Sequence, residues 1–408
     1  MIIQRNLYLE KLIVRMHNGM IKVVTGIRRC GKSYLLFKLF YDYLIETGIN
    51  EDHIIKLALD DRSNRKFRDP DVLYTYVKNR IRDKERYYVI LDEVQNVLDF
   101  EDVLNGFLHI ENVDVYVSGS NAKFLSKDVI TEFRGRGDEI RVYPLSFSEF
   151  MSVFNGDKYD GMQNYMLYGG MPQLSNFTAD EQKSTYLINL FTETYIKDII
   201  QRNNFRNEDT IEELLNILSS STGSLSSINK LSNTFKSVKN INVAPQTIKA
   251  YIEAFRDSFL IDKAFRYDIK GKKYINATNK YYFTDVGLRN ARLDFRQFEP
   301  THIMENIIYN ELKIRGFNVD IGVVEDNRKQ LEVDFIANLG NKRYYIQSAY
   351  RLPDAEKIQT EQRPLMKIND GYRKIVVTGE KIPTVTDEHG IVTMNIYEFL
   401  LNQNSLNL

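Results

Sequence analysis

Residues 26–33 read Gly26-Ile27-Arg28-Arg29-Cys30-Gly31-Lys32-Ser33, directly after the β-branched run Ile21–Thr25 and directly before an amphipathic segment, 33–45. Gly26 and Gly31 allow the backbone to turn its N–H groups inward without a Cβ in the way. The start of the following helix then becomes a cradle for an anion. Lys32 supplies a compact cation for the β- and γ-phosphates of ATP, and the Ser33 hydroxyl is a ligand for Mg²⁺. A plain glycine turn ahead of a helix explains neither Lys32 nor Ser33. Chance alone would produce the whole string in about one such chain in a hundred, and the strand-then-helix setting lowers that further. Residues Ile27, Arg28, Arg29 and Cys30, with Tyr34 just beyond, complete the cofactor-binding segment. Arg28 and Arg29 face either phosphate or solvent. A small side chain is the simple account of Cys30.

Working outward, YYVILDE (87–93) is an apolar strand that ends in two acids. A carboxylate at the carboxyl end of a buried strand stands where α/β sheets bind ligands, so Asp92 is placed to hold Mg²⁺ and Glu93 to polarise an attacking water. The run VDVYVSGSN (113–121) ends in small polar residues that can reach the γ-phosphate, with Asn121 the first choice and Ser120 the second. TEFRGRG (131–137) puts Arg134 and Arg136 on a glycine-rich turn, which suits presentation to a phosphate in cis or across a subunit interface; a solvated basic turn is the alternative.

Further strands are expected over 54–60 and 140–143, and a helix over 72–81. The first 145 residues therefore read as an α/β domain with a parallel sheet. From 146 to 206 the β runs vanish and helices interrupted at Gly169, Gly170 and Pro172 suggest a helical lid. Residues 207–293 carry a helix over 211–218, a Ser-rich connector and a helix over 246–259 with Ile248, Ile252, Phe255 and Phe259 on one stripe. Pro245 fits its first turn. Strands over 260–267 and 280–284 then bracket a basic tip, the order of a winged helix. From 294 to 408 the pattern is helix (303–315), strands (318–324, 330–336, 343–347), helix (354–368) and strand (374–377), a small α/β unit.

Four hundred and eight residues exceed one ordinary hydrophobic core, in keeping with several domains. Lys plus Arg equals Asp plus Glu at 55 each, so no global field draws the chain to nucleic acid or membrane. The single Cys30 forbids an intramolecular disulfide and matches a reducing compartment. The five histidines lack ligand spacing, which argues against structural zinc. No apolar run approaches the roughly 20 residues that span a bilayer, and the charged start MIIQRNLYLEKL is unlike a signal peptide. A cytoplasmic protein without a membrane role is expected.

GIRRCGKS, LDEVQN, VSGSNAKFL, FRGRGDEIRVYPLSFSEF and YGGMPQL together resemble the prokaryotic AAA-type P-loop ATPases that carry a C-terminal domain of uncharacterised function. The resemblance spans essentially the whole chain. It implies an ATPase core followed by a winged helix and a domain similar to restriction endonucleases. Such nuclease folds present a helix glutamate, an aspartate and an acid-x-lysine pair, because two carboxylates hold metal and the lysine stabilises charge at the scissile phosphate. Glu305 and Asp334 match the first two. Gln347 stands where an acid is expected and Ala349 where lysine is expected, so nuclease activity is not expected.

Residues 201–290 hold fourteen Lys and Arg against nine Asp and Glu, a local charge of +5 in a neutral chain. Lys270, Lys272 and Lys273 on the wing are placed for backbone phosphates of double-stranded DNA; Gln246, Thr247 and Lys249 on the polar side of the helix are placed for a groove. The reading is an ATP-binding, Mg²⁺-dependent ATPase whose nucleotide state rearranges a nucleic-acid-binding module. The alternative is a slow nucleotide-dependent switch, by homo-oligomerisation or ATP-dependent assembly with other proteins, in which DNA plays no part.

Overall fold

The structure, a computed structural model, describes residues 2–120, 135–239, 241–326 and 329–408. The chain forms two compact units: residues up to Pro144 with Asp257–Phe259, and Leu145–Arg256 with Leu260–Leu408.

The first unit is built on a five-stranded sheet in the order β2-β3-β4-β1-β5, with every pair parallel: β1 (Ile21–Thr25), β2 (Ile54–Ala58), β3 (Tyr87–Asp92), β4 (Val113–Gly119) and β5 (Gly137–Arg141). Strands β1, β3 and β4 are buried along their whole length, which is why they are largely apolar. One core gathers Val23, Leu57, Val89, Leu91 and Val117 with Leu73, Val77, Leu104 and Phe107 from two helices. The helix expected over 72–81 is Pro70–Arg80; Asp69 caps it by accepting from the Val72 N–H at 3.0 Å, with Pro70 in the first turn. Strand β1 also buries Lys22, whose ammonium pairs with Asp114 on β4; Asp114 accepts further from the Tyr116 hydroxyl at 2.8 Å.

The second unit carries a mixed eight-stranded sheet in the order β12-β13-β11-β10-β9-β8-β6-β7. Its strands are β6 (Ile261–Asp268), β7 (Lys273–Phe283), β8 (Asn318–Asp326), β9 (Lys329–Leu339), β10 (Lys342–Ala349), β11 (Arg373–Thr378), β12 (Val385–Thr386) and β13 (Ile391–Asn395). A helix, Pro300–Ile314, buries Ile303, Ile307, Ile308 and Leu312 in a core shared with Phe335, Ile346, Val377 and Met394. Phe147, Met162, Tyr165 and Met166, from the helices Phe147–Met151 and Lys158–Tyr168, belong to that same core. Ser146 and Glu149 start the first of these helices with a reciprocal capping box.

Two features depart from the sequence reading. A helix, Ile228–Lys239, follows the Ser-rich connector where the reading assigned no element; Leu231 and Phe235 anchor it one turn apart, and Ile228, Leu231, Phe235 and Val238 already carry the three- and four-residue spacing of a helix in the sequence. The second hairpin strand begins at Lys273 rather than near 280, because Asp268 accepts from the Gly271 N–H at 2.9 Å and closes the turn early. A bulge at Phe265/Arg266 absorbs the change of register. Among the described residues, no helix is long and apolar enough to cross a membrane.

Candidate functional site

The phosphate loop leaves the carboxyl end of β1. Gly26 has φ 142°, and a Cβ there would lie 2.1 Å from the Val142 carbonyl oxygen and 3.1 Å from Cys30 Sγ, so only glycine fits. Gly31, at φ 101°, turns the chain into the helical segment that starts at Lys32, and the Leu35 N–H closes its first turn on the Gly31 carbonyl at 2.9 Å. Ile27 and Cys30 are fully buried beneath the loop, Arg28 is half-buried, and Arg29 and Ser33 are exposed. Cys30 thus packs as a small apolar residue, its Sγ 3.4 Å from the Val142 carbonyl oxygen. The Tyr34 hydroxyl is buried with no hydrogen-bond partner among the described residues. Lys32 folds back over the loop, and its ammonium donates to the carbonyls of Gly26 at 2.9 Å and Ile27 at 3.2 Å.

The loop is fastened from behind by a residue that no motif announces. Arg5, 2% exposed, donates to the Cys30 carbonyl at 2.8 Å and to the Tyr143 carbonyl at 2.8 Å, tying the loop to the chain that follows β5. A buried, doubly engaged guanidinium of this kind fixes backbone position.

Asp92, the last residue of β3, is buried beside the loop. Burial pushes its carboxyl above the usual range, against the pull of hydrogen bonds from the Ser118 and Ser33 hydroxyls. Glu93 takes the left-handed conformation at φ 52°, a strained position for a non-glycine residue, and turns its carboxylate away from the strand. Ser118, near the end of β4, joins the two acids. Its hydroxyl donates to Asp92 Oδ1 and accepts from the Glu93 N–H at 3.1 Å. The Glu93 carboxylate accepts from Gln95 Nε2 and, at 3.2 Å, from the buried Ser120 hydroxyl. Thr25, ahead of the loop, donates to Glu139 Oε1 at 2.7 Å.

Lys32, Ser33, Asp92, Glu93 and Ser120 are therefore brought together, with Ser118, Thr25 and Arg5 added. The signal for Ser118 was its place at a strand end beside Asp92; Arg5 carried none. Asn121 and Arg134 lie outside the described residues. Arg136 is exposed, and its carbonyl accepts from the Ile21 N–H at 2.8 Å, beside the beginning of β1. The phosphate loop follows the other end of that strand, roughly 16 Å away by the rise of five residues. The structure does not bring Arg136 to the loop of its own chain.

In the second unit, Ile248, Tyr251, Ile252 and Phe255 of the helix Pro245–Asp257 are buried, while Gln246 and Lys249 are exposed and Thr247 is half-buried. Lys270, Lys272 and Lys273 are all exposed on the hairpin turn, and Lys270 donates to the Glu325 carbonyl at 3.3 Å. Glu305, Asp334 and Gln347 do meet: Glu305 comes from the helix Pro300–Ile314, and Asp334 and Gln347 from the adjacent strands β9 and β10. Lys280 of β7 lies among them, with Nζ 2.8 Å from Glu305 Oε1. Its distance along the sequence hid it.

Residues 18–151 match a family model described as an AAA domain, and residues 159–299 match one described as a domain of unknown function. An uncharacterized protein of Haemophilus influenzae is 32% identical over 406 residues, covering 98% of both chains. An uncharacterized protein of Methanocaldococcus jannaschii is 27% identical over 406 residues, 93% of this chain and 88% of that one. Among solved structures, the Aeropyrum pernix ORC1 protein in complex with DNA is 12% identical, with a TM-score of 0.30 over 72% of this chain and 92% of that one. CDC6P from Pyrobaculum aerophilum is 12% identical, with a TM-score of 0.29 over 75% and 96%. Structural likenesses this slight bear on neither activity nor partner.

Proposed function

The chain belongs to one family with the Haemophilus influenzae protein, and we propose that its AAA domain binds ATP with Mg²⁺ and hydrolyses it to rearrange an attached DNA-binding module. The observation that carries this reading is the convergence of Lys32, Ser33, Asp92 and Glu93 at the carboxyl ends of β1 and β3, with Ser118 bonded to both acids. The Ser33 hydroxyl and Asp92 carboxylate are hard oxygen donors bonded to each other, a set that fits Mg²⁺. Ser33 and Asp92 would hold the ion, which would supply positive charge against the negative charge of the phosphates. Lys32 releases the loop carbonyls and turns its ammonium to the phosphates. Glu93, held aside by Gln95 and Ser120, orients a water and accepts its proton.

Helices Glu208–Ser220, Ile228–Lys239 and Pro245–Asp257 precede the β6–β7 hairpin, and Ser226 bridges Asn279 of β7. This order supports a winged helix. Its exposed lysines at the turn meet DNA phosphates, and Gln246, Thr247 and Lys249 face the groove. The helix that bears Glu305, packed with the sheet that bears Asp334 and Gln347, supports a nuclease-like domain that does not cleave. We take the helices over 146–206 as the segment that transmits the nucleotide state.

The test is steady-state ATP hydrolysis by the full chain at low salt, with and without double-stranded DNA, beside Lys32→Ala. Mg²⁺-dependent hydrolysis, stimulated by DNA and lost in the variant, is expected. Hydrolysis that ignores DNA, with an ATP-dependent gain in mass, would instead identify a protein-assembly switch. Equal turnover by Lys32→Ala would remove the ATPase assignment.

A further inference from the structure

Three carboxylates of the second unit surround one ammonium. Lys280 Nζ lies 2.8 Å from Glu305 Oε1, 2.7 Å from Glu332 Oε1 and 3.6 Å from Asp334 Oδ1. Lys280 is 4% exposed, Glu305 7% and Asp334 8%. Two of these acids are the residues that the nuclease-like resemblance would assign to a divalent metal, and their hard oxygens are the right chemistry for one.

The remaining geometry does not fit a metal. An ammonium already stands in contact with all three acids, and a divalent ion seated among them at ordinary ligand distances would meet that like charge in a buried site. Gln347 is a neutral amide with both ends committed: Oε1 accepts from the Asp334 N–H at 3.3 Å, and Nε2 donates to Glu361 Oε2 at 3.2 Å. Asp334 Oδ2 accepts from the Ser348 N–H at 2.8 Å, and Glu305 Oε1 accepts also from the Tyr282 hydroxyl at 2.7 Å. Gly223 closes the cluster from above; a Cβ there would lie 3.2 Å from Glu305 Oε1. Among the described residues no group of three or more His, Cys, Asp or Glu side chains is set to hold a metal ion.

We infer that Lys280 is the resident cation of this site: its ammonium supplies from within the chain the positive charge that a nuclease takes from a divalent metal, leaving a closed ion cluster that cannot cleave. The inference rests on the nuclease-like reading of this sheet and is independent of the ATP site. Burial opposes the ammonium, yet the carboxylates of Glu305, Asp334 and Glu332 overcome it and hold the Lys280 proton more firmly than usual. The lysine missing at Ala349 is thus replaced in space, by a different element, in a different role.

The test uses thermal unfolding of the full chain without nucleotide, with and without millimolar Mn²⁺, for the native protein, Lys280→Ala and the double variant Lys280→Ala/Glu305→Gln. Removing the ammonium leaves the buried Glu305 and Asp334 and the partly exposed Glu332 without their cation, so Lys280→Ala melts on the order of 10 °C lower. Mn²⁺ restores much of that loss in the single variant and none in the double one, while the native chain ignores Mn²⁺ and does not cut DNA. A native chain stabilised by Mn²⁺, with the gain lost in Glu305→Gln, overturns the inference. Mn²⁺-dependent DNA cleavage by the native chain also overturns it while upholding the nuclease-like reading. A folded Lys280→Ala chain indifferent to Mn²⁺ overturns both. Should Lys280→Ala fail to fold, Glu305→Gln and Asp334→Asn beside the native lysine decide the matter: all three chains must ignore Mn²⁺.

Discussion

A single hydroxyl links the two acids of the proposed ATPase site. Ser118 donates to Asp92 and accepts from the backbone of Glu93, so it holds the carboxylate proposed to bind metal and the residue proposed to orient water in one frame. It also helps stabilise the left-handed turn that Glu93 must adopt. Glu93→Gln is expected to keep nucleotide affinity and lower turnover by about a hundredfold or more, the usual contribution of a positioned base. Ser118→Ala loses one hydrogen bond to a charged group and should lower turnover by about tenfold with affinity little changed. Steady-state hydrolysis and fluorescent-nucleotide titration check both. Ser118→Ala turnover equal to the native rate would show that Asp92 and Glu93 need no such frame.

At the scale of elements, the YGGMP turn has a definite structural role. Asp285, buried at the start of the helix Val286–Arg292, accepts from the Gly170 N–H at 2.7 Å and from the Leu288 N–H at 3.0 Å. A Cβ on Gly169 would lie 2.3 Å from Asp285 Oδ1, and one on Gly287 would lie 1.9 Å from the Tyr168 carbonyl oxygen. These glycines permit the close approach of two helix ends, and Asn290 adds bonds to the carbonyls of Met166 and Leu167 at 2.9 Å each. Burial, opposed by its backbone hydrogen bonds, pushes the Asp285 carboxyl from 3.8 to about 6. Between these values the folded chain holds a proton that the unfolded chain has lost. Stability therefore falls as pH rises from about 4 to 6, by on the order of 2–3 kcal/mol from this group. Denaturant unfolding at stepped pH should show the native chain losing that much relative to Asp285→Asn across the window, and a constant difference would exclude the linkage.

For the whole molecule, the proposed DNA-binding role asks how a neutral chain would meet DNA. Its charges balance overall, so any affinity must come from a local surface, and the hairpin turn with Lys270, Lys272 and Lys273 exposed is the proposed one. Replacing all three with alanine should flatten the dependence of log affinity on log salt by up to about 2.7, one counterion for each lost phosphate contact. Titrations of a DNA duplex at several salt concentrations measure this; an unchanged slope would exclude the wing as the contact surface.

Much of the first unit could be read from the sequence, because its information is local. Gly26, Gly31, Lys32 and Ser33 act within one turn of chain, and the largely apolar strands β1, β3 and β4 announce a sheet covered on both faces. Asp92 and Glu93 follow from their place at the end of such a strand. What tertiary structure alone decided are the contacts between residues far apart in sequence: Arg5 behind the loop, Arg136 at the distant end of β1, and Lys280 among Glu305, Glu332 and Asp334. Local patterning records which residues neighbour one another along the backbone. Which strand lies beside which depends on the packing of the whole sheet, so a lysine absent from its expected strand could arrive from another with nothing in the sequence to mark it.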